Sequence, residues 1–261
     1  MMRTAALVLS IGAVLSAPMA EPVSAQASEP QMRADEQRIG TRFKRKAEQA
    51  NATESRQMQK DVARCVVYRN KDLSRELLAK SDTVSIDFYQ IDDLTSDEMF
   101  RELDVADCLG RAAKGGTLSI SMRIPLRTLR NLMTEEVYLL DQKEQLEIPA
   151  GAPDYLENRY YAAGRHPGAI AMARLSDCLT VNAPIAADSL LRSRPGSTDE
   201  EEAIEALFPA LLTCAGEKIA DTEIDTSAVR TVIADGMWAR LHYGPTAPVA
   251  ADEEITKDDD A

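Results

Sequence analysis

The chain has 261 residues, 43 acidic and 30 basic, for a formal net charge of −13, and aromatic residues make up 5% of it. Such acidity argues against nucleic acid, whose phosphates require a basic face, and against simple adhesion to anionic lipid. The length suits one large domain or two small ones, and the sparse aromatics argue against a carbohydrate-stacking surface.

Residues 1–27 read as a secretory signal. Arg3 gives a weak positive start, an apolar run follows from Ala5 to Ala17, and Ala25-Gln26-Ala27 offers small residues where a signal peptidase reads. The run is shorter than the roughly 20 residues that span a bilayer, so the expected product is periplasmic or secreted, with no membrane span after cleavage. Residues 28–55 are polar, carry the basic group Arg42, Lys44, Arg45 and Lys46, and read as a mobile arm.

Residues 56–141 read as a first helical repeat. Met58, Val62, Cys65 and Val66 fall on one helical face, and Leu73, Leu77 and Leu78 line a second helix. Val84, Ile86 and Phe88 alternate with polar neighbours, the period-two pattern of a half-buried strand. Ser96 is expected to cap a third helix running through Met99, Leu103 and Ala106 to Cys108. Thr117–Ile124 alternates again and could pair with Val84–Phe88 as a short β-ribbon. Pro125 suits the first turn of a closing helix lined by Leu126, Leu129, Met133, Val137 and Leu140.

Residues 142–153 are the expected linker, with Pro149, Gly151 and Pro153 breaking helix. Residues 154–245 read as a second repeat with an extra leading helix over Asp154–Arg165. Pro167 and Pro184 suit helix starts, Thr198 an acidic helix N-terminus, and Asp225 or Thr226 the cap of the last helix. Residues 246–261 are dominated by acids and read as a disordered tail.

The two segments match element by element. Leu77-Leu78 follow Cys65 at the distance at which Leu190-Leu191 follow Cys178, and Leu129-Arg130 through Val137-Tyr138 match Val229-Arg230 through Met237-Trp238. The offset is constant within an element and changes only between elements, as after a duplication with trimmed loops. The fold class is therefore mainly α: two tandem, disulfide-stapled helical repeats, with the ribbon in the first.

Export gives the four cysteines their meaning. An even count in an oxidising compartment favours disulfides, and four cysteines allow three pairings. A duplicated unit could close only Cys65–Cys108 and Cys178–Cys214 by itself. Loops of roughly 40 residues imply about 4 kcal/mol each by chain entropy, which matters to a unit of about 85 residues. A zinc site lacks support, because there is no CxxC spacing and histidine occurs only at His166 and His242.

No catalytic set stands out. The nucleophile elbow and the phosphate-binding glycine loops are absent, and no cofactor or metal is implied. Asp92-Asp93, Glu135-Glu136 and the run Glu200–Glu202 are carboxylate groupings of the kind acid–base chemistry uses, though solvated helix ends explain them better. Arg130 and Arg230, with Tyr138 and Trp238, recur at matching positions. Arginine and large aromatics dominate binding hot spots, which makes these four the candidate binding residues; packing along a buried stripe is the simpler account of them.

The order of signal peptide, early cysteine, Leu-Leu, late cysteine and a closing helix like Leu129–Tyr138 resembles uncharacterised exported proteins of sphingomonad-type alphaproteobacteria. That resemblance covers roughly Met58–Tyr138 and Ala171–Trp238 and implies a bacterial, periplasmic setting without an assigned activity. The expected function is non-catalytic binding or scaffolding of another envelope protein, the alternatives being an envelope hydrolase or a small-ligand binder using a groove between the repeats.

Overall fold

A computed structural model describes residues 50–112, 122–216 and 224–244. Expectations for the signal at 1–27, most of the arm at 28–55, the ribbon residues 117–121 and the tail at 246–261 lie outside these residues.

Helix α1 (Ala52–Arg69) opens with a capping box: Glu54 N–H donates to Asn51 Oδ1 at 2.8 Å, and Asn51 N–H donates to the Glu54 carboxylate at 3.1 Å. The helix thus begins inside the segment assigned to the arm. Its inner face buries Val62, Ala63, Val66 and Val67. Helix α2 (Lys71–Ala79) follows after Asn70 and buries Leu77 and Leu78.

No strand forms at Val84–Phe88; Ser81 and Ile86 make one isolated antiparallel bridge, and Phe88–Gln90 is a 3-10 turn. The reason is local. Asp82 Oδ1 accepts from Val84 N–H at 2.7 Å and Ser85 N–H at 2.8 Å, taking the amides a ladder would use. The expected β-ribbon therefore has no partner strand on this side.

The third predicted helix is two helices, α3 (Ser96–Glu102) and α4 (Val105–Ala112). Thr95, one residue earlier than expected, caps α3 through a capping box with Glu98. The break falls at Asp104, whose φ of 53° is the left-handed conformation that Asp tolerates better than most residues. Helix α5 (Leu126–Asp141) starts directly after Pro125, which serves as N-cap.

Asp154–Arg165 is not a helix. It forms turns that end at Gly164, where φ is 65°, and its side chains are drawn to several separate partners. Helix α6 (Pro167–Asn182) is capped by His166, whose Nδ1 accepts from Gly168 N–H at 3.1 Å. Then come α7 (Pro184–Arg192), α8 (Thr198–Ala215), capped by Ser197 rather than Thr198, and α9 (Thr226–Tyr243), capped by Asp225.

At the centre α5 packs on α9; α1 lies on α5, and α6 on α9. Both halves belong to one compact unit, residues 49–261. Leu129, Met133 and Val137 of α5 and Val232, Ile233 and Met237 of α9 share a single apolar cluster. Each such side chain removed from water contributes roughly 1.5–3 kcal/mol. Gly236 lets α9 approach α6 closely, since a Cβ there would stand 2.6 Å from Ser176 O.

Two disulfides fasten the ends. Cys65–Cys108 joins α1 to α4 and Cys178–Cys214 joins α6 to α8, with Cα–Cα distances of 5.6 and 5.8 Å, within the usual range. No helix among the described residues is long and apolar enough to cross a membrane.

Candidate functional site

The four candidate binding residues are all buried. Arg130 and Arg230 lie on the two crossing helices, and their partners are reciprocal. Arg230 of α9 grips Glu135 of α5 through Nε–Oε2 at 3.2 Å and Nη2–Oε1 at 2.6 Å. Arg130 of α5 faces Asp235 of α9 at 3.7 Å. Asp235 occupies on α9 the register that Glu135 occupies on α5.

Each arginine also reaches the chain at the C-terminal end of a neighbouring helix, where the last carbonyls lack intrahelical partners. Arg230 Nη2 donates to Leu191 O in the last turn of α7 at 3.2 Å and to Ser193 O just after it at 3.1 Å. Arg130 donates through Nε to Ser81 Oγ at 2.8 Å and through Nη2 to Ser81 O at 3.3 Å beyond α2. Cationic groups suit that end of the helix dipole.

Around Arg230 is a larger network. Its Nη1 donates to Glu200 Oε1 at 3.1 Å, while Arg56 reaches Glu200 Oε2 at 3.1 Å and Gly196 N–H donates to that oxygen at 2.7 Å. Lys60 of α1 sits against Glu135 and lies 3.0 Å from Glu136 Oε1, an approach too poorly aligned for a hydrogen bond. Arg64 Nε donates to Glu136 Oε2 at 3.0 Å. Burial lowers the Lys60 ammonium to about 8, with Arg230 and Arg64 adding to the shift and Glu136 opposing it.

A second cluster surrounds Arg159, from the segment expected to be helical. Its guanidinium donates to Ser176 Oγ at 3.0 Å and Asp177 Oδ1 at 2.9 Å, and also binds Asp235. Arg240 donates to Thr180 Oγ1 at 3.2 Å and lies over the Tyr155 ring. The same segment clasps the other half: Tyr160 Oη donates to Asp87, and Ala162 N–H donates to Asp82 Oδ2 at 2.9 Å. A small pocket between these two parts, bordered by Ser81, Arg130, Arg159 and Asp235, measures about 10 Å³.

Tyr138 and Trp238 do not share a site. Tyr138 Oη donates to Asp188 Oδ1 at 2.6 Å, and Arg192 holds the same carboxylate. Burial, then Asp188, pushes the phenol well above its ordinary pKa. Trp238 stacks on His242 at 4.7 Å between centroids, and burial lowers the His242 pKa. Neither histidine faces a serine or cysteine nucleophile: His166 caps α6, and all four cysteines are paired.

The buried carboxylates are thus engaged by cations, hydroxyls or amides. That arrangement supplies rigidity rather than a poised acid–base pair. Sequence reasoning reached Glu135-Glu136 and Glu200 only as composition. Asp235 was detectable, because it aligns with Glu135 five residues after each matched arginine. Lys60, Arg159 and Asp177 carried no signal, since their partners lie far away in sequence.

A sizeable cavity among the described residues lies elsewhere. A groove of about 530 Å³ runs between α3–α4 and the extended residues 122–124, with Val62 of α1 at its base. Phe100, Val105, Leu109, Met122 and Ile124 form its walls, and Arg101, Asp104, Asp107 and Arg123 its mouth. It lies where α3 ends at Glu102 and α4 begins at Val105, a break that helical periodicity conceals. No family model, curated protein or solved structure matches this chain.

Proposed function

We propose that this is an exported, non-catalytic binding protein of the bacterial envelope, which holds an apolar element of a partner protein in the groove beside α4. The observation that supports this reading is the contrast between the two kinds of site. The ionic clusters are buried and their charges are paired within the bundle, whereas the groove is open and apolar-walled. The cysteine pairing and the lack of a spanning helix among the described residues agree with an exported protein. The reciprocal α5–α9 contacts are of the kind expected of a tandem duplication, in which the same surface meets its copy.

A photo-crosslinking amino acid at Ala106, on the groove wall, tests the reading in the native envelope. One discrete protein adduct, missing when the probe is placed at the exposed Ile185, is the expected result. Equal or absent labelling at the two positions overturns it. The volume of the groove favours a second reading, a small-ligand binder, because sites for such ligands run about 300–1,000 Å³ with mostly apolar walls.

A further inference from the structure

We infer that the groove accepts a linear anionic amphiphile, with its apolar chain between α4 and residues 122–124 and its head group at the mouth. The inference rests on the small-ligand reading. It starts from the walls: Phe100, Val105, Leu109, Met122 and Ile124 offer no hydrogen-bonding side chain. A polar ligand buried there would lose its hydration without replacement, which is costly. An extended hydrocarbon loses nothing and gains the hydrophobic term.

The sign of the head group follows from the mouth. Four charged residues stand there, and they are not equivalent. Asp104 and Asp107 are both taken by Arg69 of α1, at 2.9 and 3.5 Å. Arg101 has its nearest carboxylate, Glu98, at 3.7 Å, beyond hydrogen-bond distance. Arg123 forms no ion pair among the described residues. The donors left for a ligand are therefore two guanidinium groups, whose planar forks match carboxylate, sulfate and phosphate oxygens. The net charge of −13 opposes anions at long range, but screening beyond about 8–10 Å leaves the local pair to decide.

The test uses the oxidised full chain and isothermal titration with dodecanoate, dodecyltrimethylammonium and butyrate, each below its micelle concentration. One dodecanoate per chain, bound at least tenfold more tightly than the cationic amphiphile, is expected, with no measurable butyrate binding. Arg101→Glu/Arg123→Glu, with an unchanged far-UV spectrum, should invert the head-group preference, and Ala106→Trp should block the chain. Equal affinity for the two head groups, or dodecanoate binding that survives Ala106→Trp, overturns the inference. So does binding to phosphatidylglycerol vesicles without binding of soluble dodecanoate, which would assign the contact to a membrane surface. An Ala106 crosslink to a protein with no amphiphile binding would leave the partner-protein reading standing and the amphiphile refuted.

Discussion

Arg130 and Arg230 stand at matched positions, yet the structure predicts unequal consequences for removing them. Arg230→Met deletes the bidentate grip on Glu135, the bonds to Glu200 and Ser193 Oγ, and both carbonyl contacts at the end of α7. Glu135 keeps Lys60, and Glu200 keeps Arg56 and Gly196 N–H, so neither carboxylate is left wholly bare. The cost should fall at the low end of the range for breaking a buried ion pair, about 3 kcal/mol. Arg130→Met loses two bonds to Ser81 and one to Asn131, plus a 3.7 Å contact to Asp235, which Arg159 continues to hold. These bonds are charge-assisted and worth roughly 1.5–3 kcal/mol each. The change also relieves the desolvation of a fully buried guanidinium and leaves Asp235 with its other cation, which brings the net cost to about 2 kcal/mol. Urea unfolding with the disulfides intact, followed by circular dichroism, measures both. Adding Glu135→Gln to Arg230→Met closes a double-mutant cycle, and contact residues of this kind should couple by about 1–3 kcal/mol. If Arg130→Met costs as much as Arg230→Met, or the cycle shows no coupling, the account of the Arg230 network is wrong.

Three further outcomes follow from the geometry. Replacing Cys65 and Cys108, 43 positions apart, or Cys178 and Cys214, 36 positions apart, should in each case cost about 4 kcal/mol by chain entropy; urea midpoints below those of the oxidised chain check this. Lys60 titrates at about 8 when folded against 10.5 unfolded, so between those values the unfolded chain holds more protons, and the Lys60 contribution to stability should rise with pH across that window; Lys60→Met should flatten the rise in stability measured from pH 8 to 10.5. Gly236→Ala should lower the melting temperature despite alanine's advantage of about 1 kcal/mol in helices, because its Cβ would meet Ser176 O and Thr180 Cγ2 at 2.6 and 2.7 Å.

The misreadings have two physical origins. Val84–Phe88 alternates as a strand would, but Asp82 takes its amides into a turn. Residues 154–165 read as helical, yet Arg159 is drawn into the bundle and Tyr160 across to Asp87. In the first place a local side-chain-to-backbone turn overrode the alternation; in the second, partners far along the chain overrode the helical period. The caps at Thr95 and Ser197 fall one residue before those expected, because neighbouring hydroxyl residues compete and only the chain's entry direction selects between them.

What the sequence alone determined is the mainly helical class and the pairing of the cysteines. Apolar spacing at helical period, prolines at helix starts and two matched cysteine-bearing segments are local properties, and short-range physics acts on them directly. Only the tertiary structure decided which charges meet. Arg230 and Glu135 are 95 residues apart, and burial makes their contact consequential, since a charge removed from water must find its partner wherever the fold places it. The groove beside α4 is tertiary for the same reason: its walls come from three separate stretches of chain that no linear pattern connects.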